Sequence, residues 1–167
     1  MANYNLYRRT VRAAVLGRHK DVAIFLREIP EEETELFNNY LFAAFYGAVI
    51  LEFAYDRDDE TVTAFAQAMV EAHPDLDPPL EERAVEHNVR GMLGEHHLFD
   101  ALEPIELYRT QLLAIRFIAD RHPVMREKVL GYVAEAERLS LAWGAGENPD
   151  PEFGWFDGAE EAAQPAS

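Results

Sequence analysis

Residues 31–55 read EEETELFNNYLFAAFYGAVILEFAY, and the distribution of charge in this stretch decides the fold. Acids crowd its first turn at Glu31, Glu32, Glu33 and Glu35, where the positive end of a helix dipole favours them. No further charge occurs until Glu52, and every residue from Tyr40 to Leu51 is apolar, aromatic, alanine or glycine. A helix that is apolar on all sides either lies inside a core or spans a membrane. The uninterrupted run is twelve residues long, short of the roughly 20 that cross a bilayer. Asn38, Asn39 and Glu52 block any extension. The spacing therefore predicts a central core helix over about 31–55, with other helices packed around it.

Prolines divide the rest of the chain. Pro30, Pro78, Pro79, Pro104 and Pro123 each stand at or just before a stretch of helical spacing. Proline suits the first helical position because the N–H it lacks would have no intrahelical partner there. In a helix interior it costs about 3 kcal/mol. Between these marks, apolar residues at i, i+3, i+4 and i+7 outline the remaining helices. A first helix is predicted from Tyr4 to about Leu16, and a short second one, capped by Asp21, carries Val22, Phe25, Leu26 and Ile29. A fourth is capped within Asp56–Asp59, and a fifth ends near Leu93, before Gly94. A sixth runs from Pro104 to about Arg121 and a last one from Pro123 to Trp143, while 95–103 has room for one short turn. No segment alternates as a strand does. The expected fold is all-α, a compact array of six or seven helices around the central apolar one. It forms a single helical domain over 1–144, followed by an acidic, aromatic-containing tail over 145–167.

Composition narrows the function classes. A chain of 167 residues that is 49% hydrophobic can bury one proper core. The absence of cysteine excludes disulfides, thiolate metal ligands and cysteine nucleophiles together. Residues 1–5 lack the basic-then-apolar profile of a signal peptide, so a cytoplasmic location is expected. The net charge of −16 is unevenly placed: residues 1–29 hold six basic and two acidic groups, the rest nine and twenty-nine. So acidic a body repels nucleic acid and anionic lipid, and neither direct nucleic-acid binding nor membrane association is expected.

The residue types that carry chemistry do not converge. Glu95, His96 and His97 adjoin one another, and Glu86-His87 lies about two turns earlier. On a continuous helix His96 would share the stripe of Val85, Val89 and Met92, and His87 would point nearly the opposite way. No Glu-x-x-His or His-Glu-x-x-His spacing occurs, so no metal site is expected. The only serines are Ser140, within the last helix, and Ser167. Neither sits on the strand-to-helix elbow that exposes a nucleophile. Gly91-Met92-Leu93-Gly94 and Gly144-Ala145-Gly146 lie on or after helices, unlike phosphate-cradling loops, which follow strands. No catalytic residue, cofactor or metal ligand is singled out.

Two features point instead to recognition. Met125, Val129, Tyr132, Ala136, Leu139 and Trp143 are spaced 4, 3, 4, 3, 4, a heptad seam suited to helix–helix packing within the chain or between copies. Phe153, Trp155 and Phe156 stand in an acidic, glycine- and proline-rich segment, where bare aromatics cost solubility unless covered. Their cover is either this domain, near Arg8, Arg9 and Arg12, or the groove of a partner. The expected function is a non-catalytic interaction or assembly protein whose partner is another protein or a second copy. The alternatives are an acidic mimic that occupies a nucleic-acid-binding protein and, third, an enzyme with dispersed Glu and His groups.

Overall fold

A computed structural model describes residues 2–156, which are helical and contain no strand. The helices are α1 (Tyr4–Val15), α2 (His19–Glu28), α3 (Thr34–Glu52), α4 (Asp59–Glu71), α5 (Glu82–Met92), α6 (Pro104–Arg121), α7 (Pro123–Glu127) and α8 (Val129–Gly144). Short 3-10 segments at Glu31–Glu33 and His96–Ala101 lead into α3 and follow α5.

The apolar stretch is the hub, as its pattern requires: α3 packs against α8, α6, α1 and α5. Ala43, Ala44, Gly47 and Ala48 are all buried, and their small side chains let neighbouring helices come close. Phe45 and Leu41 fill the space between them. Two buried phenols tie α3 to α8 reciprocally. Tyr40 of α3 donates to the Val133 carbonyl at 3.0 Å, and Tyr132 of α8 donates to the Ala44 carbonyl. Burial raises the pKa of both phenols, so they stay protonated donors. At the far end of α3, the buried Glu52 carboxylate takes Arg121 at 2.7 Å and also meets His122. This pins the end of the hub to the corner between α6 and α7.

Local signals set most boundaries. The Asp58 carboxylate accepts the Thr61 N–H at 2.8 Å and caps α4. Glu103 and Glu106 form a reciprocal capping box before Pro104 at the start of α6. Three boundaries differ from the sequence expectation. Helix α2 starts at His19, so Asp21 lies in its first turn and does not cap it. The central helix enters through a 3-10 turn and stops at Glu52, where the ion pairs to Arg121 and His122 hold its last side chain. The last predicted helix is two, separated at Lys128 (φ −105°, ψ 22°), which makes eight α-helices among the described residues instead of six or seven. The break turns the Lys128 ammonium toward the Gly154 carbonyl.

Beyond α8 the chain does not leave the domain. Residues 145–156 run back over α8 and α3 as a strap. The Arg138 guanidinium holds the Asp150 carbonyl at 2.9 Å, and the buried Glu135 carboxylate accepts the Glu152 N–H. The Trp155 indole N–H donates to the Gly47 carbonyl at 2.9 Å. Phe153 and Trp155 belong to the core cluster. The remainder of the expected tail, 157–167, lies outside the described residues.

Candidate functional site

The heptad stripe is not a free surface. Met125, Val129, Tyr132, Ala136 and Leu139 are buried within this protein's own core, packed toward α3. Of the two expected packings of this seam, within the chain or between copies, the structure shows the first: α8 lies against α3. Trp143, at its end, is only partly buried and rests edge-on against Phe42 and tilted against Tyr46 of α3, with ring centroids at 6.1 and 5.8 Å.

The tail aromatics likewise dock at home. Phe153 and Trp155 stack on each other with planes 5° apart and lean on Tyr132 at 5.8 and 5.3 Å. Phe156 packs edge-on against Tyr55 at 6.3 Å. Their seat is α3 and α8, not the basic cluster of α1. Arg8 pairs with Glu137 at 3.0 Å, Arg9 covers the Phe25 ring at 4.5 Å, and Arg12 is exposed. What permits the seat is Gly47, where a Cβ would stand 2.5 Å from the Phe153 ring. Burial alone would raise the pKa of Glu135. The fork of bonds from Arg138 at 2.6 and 2.7 Å, with the Glu152 N–H, outweighs it and keeps this carboxyl below its ordinary range.

The histidines do not assemble a centre. Because α5 ends at Met92, His96 is not on the stripe of Val85 and Val89. It sits exposed with His97 on the following 3-10 turn. Among the described residues no three His, Asp or Glu side chains come together in a group that would hold a metal. No helix among them is long and apolar enough to cross a membrane.

Two concave surfaces among the described residues lie on different faces of α3. The first is a groove of about 350 Å³ between α2, the first half of α3 and the start of α6. Leu26, Ile29, Phe37, Leu41, Ile105 and Tyr108 form its apolar lining. Ile105 is 54% exposed and Leu26 38%, and no residue of α2 is fully buried although the helix is amphipathic. Acids stand beside this lining along the chain: Glu28, Glu31, Glu32 and Glu35 around the α2–α3 turn, Glu103 and Glu106 before and within the first turn of α6. Arg109, also at the groove, is engaged with the Pro78 and Pro79 carbonyls.

The second is a pocket of about 550 Å³. Phe42, Tyr46 and Trp143 make one wall, and Val49, Ile50 and Met92 add aliphatic surface. Arg57, His96, Asn148 and Asp150 supply polar groups, the last two from the strap. Neither surface was singled out in the sequence. The groove could have been found from α2, whose stripe of Val22, Phe25, Leu26 and Ile29 is too short to bury itself. The pocket joins residues from five places in the chain and left no local signal.

Comparison with protein-family models, with curated proteins and with solved structures finds no match to this chain. Its function must therefore be argued from these surfaces.

Proposed function

We propose that this protein is a non-catalytic interaction protein that receives an amphipathic helix of another protein in the groove between α2, α3 and α6. The observation that carries this reading is the open apolar lining, with Ile105 and Leu26 half-exposed where a monomer gains nothing by exposing them. Helix-in-groove recognition uses anchors at i, i+3, i+4 and i+7, and a channel flanked by two helices suits it. The acids around the α2–α3 turn, Glu28, Glu31, Glu32 and Glu35, select a partner with lysine or arginine flanking its apolar anchors. A second copy is disfavoured because it would bring the same acids toward the same acids. The described residues hold every large apolar side chain of the C-terminal segment, so 157–167 (DGAEEAAQPAS) offers no anchor for the groove.

The test uses two synthetic amphipathic helical peptides with the same leucine and phenylalanine anchors, one flanked by lysine and one by glutamate. Anisotropy titration of the full chain should show at least about tenfold tighter binding of the lysine-flanked peptide. Ile105→Asp should abolish binding, while Leu130→Asp, on exposed α8 surface, should leave it intact. Equal binding of both peptides, or indifference to Ile105→Asp, would overturn the reading. Sedimentation that finds a dimer lost in Ile105→Asp would replace the partner helix by a second copy. A native partner captured through the groove and displaced competitively by DNA would turn the reading into the acidic-mimic alternative.

A further inference from the structure

The pocket on the other face of α3 asks for a different ligand. Its volume of about 550 Å³ falls within the roughly 300–1,000 Å³ of small-molecule sites. The end of α5, the turn at His96, Trp143 and the strap border it. Its chemistry is set by what stands on each side. Trp143 stands edge-on to Phe42 at 73° and tilted to Tyr46 at 59°, so the three rings form one aromatic wall. A cage for a quaternary ammonium needs rings parted around the cation. Here Phe42 and Tyr46 both pack on Trp143, at centroid distances of 6.1 and 5.8 Å. An aromatic wall facing Val49, Ile50 and Met92 suits a planar apolar body.

Charge fixes the other end of the ligand. The chain is strongly acidic, and Arg83, Arg90, Arg121, Arg126 and Arg138 are paired with carboxylates. Arg57 is not: among the described residues it forms no ion pair, and its one hydrogen bond runs from Nε to the Phe53 carbonyl at 3.1 Å. That bond anchors the guanidinium at the pocket and leaves its two terminal nitrogens for a bidentate acceptor. Asp150, also at the pocket, belongs to the strap whose carbonyl Arg138 holds. It excludes ligands that place their negative charge on that side.

We propose that this pocket binds a small planar aromatic carboxylate, with the ring system against Phe42, Tyr46 and Trp143 and the carboxylate on Arg57. The site is independent of the groove. The proposal is one of binding.

The test titrates the full chain by calorimetry with 2-naphthoate, its neutral isostere 2-naphthylmethanol and the cation 2-naphthyltrimethylammonium. Naphthoate should bind saturably with a Kd of about 1 mM or tighter, at least about tenfold more tightly than the alcohol. Arg57→Gln should erase that preference and leave the alcohol's affinity unchanged. Arg57 is exposed, so this variant keeps its fold. Naphthoate should also perturb indole emission in the wild type and not in Trp143→Phe, which places the ligand beside that ring and not beside Trp155. Absence of saturable binding, tighter binding of the cation, or indifference to Arg57→Gln would each overturn the proposal. So would loss of naphthoate binding in Ile105→Asp, because the probe would then be lodged in the groove.

Discussion

Gly47→Ala is the substitution whose outcome follows most directly from the geometry. Position 47 lies inside α3, where alanine is preferred over glycine by about 1 kcal/mol, so helix propensity alone predicts a more stable protein. The new Cβ, however, would stand 2.5 Å from Cε1 and Cζ of Phe153 and 2.9 Å from Cε2. The neighbour is a rigid ring stacked on Trp155, so it cannot yield locally and must leave its seat. Expelling a phenyl ring that is 7% exposed forfeits about 1.5–3 kcal/mol of burial. The net expectation is a loss of about 0.5–2 kcal/mol, or about 1–8 °C in Tm for a chain of this size. In a Phe153→Ala background the obstruction is gone, and Gly47→Ala should then raise Tm by about 2–4 °C. Thermal unfolding of the four proteins, followed by far-UV circular dichroism, measures this reversal of sign directly. If Gly47→Ala stabilises both backgrounds, Phe153 does not sit over α3 and the strap is wrongly placed.

Further outcomes follow from the same contacts. Tyr132→Phe deletes the bond to the Ala44 carbonyl without changing shape, and should cost about 1 kcal/mol and lower Tm by about 2–4 °C; an unchanged Tm would remove this bond from the account. Glu135→Gln weakens the anchor of the strap, with a loss of about 1–2 kcal/mol at neutral pH. Because the Glu135 carboxyl is held below its ordinary value of 4.5, its contribution is complete above that pH and disappears as pH falls through the lower, folded value. The Tm difference between wild type and Glu135→Gln should therefore be constant from pH 7 to about 5 and close toward pH 3. A difference that stays constant down to pH 3 would refute the assignment. Truncation after Gly144 should unfold the protein, since it removes Phe153 and Trp155 from the core; a Tm within about 2 °C of the full chain's would refute their place there.

Helix positions were legible because their causes are local. The capping acid Asp58, the proline starts at 104 and 123 and the stripes of α1 and α4 act within a few residues, and the boundaries they predict agree with those observed. The break at Lys128 was not legible, because what holds its side chain is the Gly154 carbonyl, 26 residues further on. The fate of Phe153 and Trp155 was half legible. Their need for cover followed from composition, but the cover itself depends on a glycine over a hundred residues away at position 47. The basic residues of α1 misdirected the expectation, because charge opposite an acidic tail is a weaker constraint than a hole shaped for a ring. Their actual partners, Glu137 for Arg8 and the Phe25 ring for Arg9, lie on the helices packed beside them.

The central helix shows why site residues were harder to read than core residues. Apolarity on every side of Tyr40–Leu51 predicts complete burial, and Tyr40, Leu41, Ala44, Phe45 and Ala48 are buried. Phe42, Tyr46 and Ile50, from the same run, are only partly buried and line the pocket. Pocket walls and cores draw on the same side chains, because both keep water from apolar surface, the one permanently and the other once a ligand is bound. A single sequence therefore cannot tell a buried face from a waiting one. The distinction arises only when the neighbours are placed. On the α8 side Tyr132 and Leu139 close over α3, and beyond Gly144 the chain leaves the helix and returns as a strap whose Asn148 and Asp150 border the pocket opposite Tyr46. That departure leaves open a face whose composition had already been fixed as apolar. It also accounts for the placement of Arg57, five residues past the end of α3, at the rim of an otherwise greasy wall.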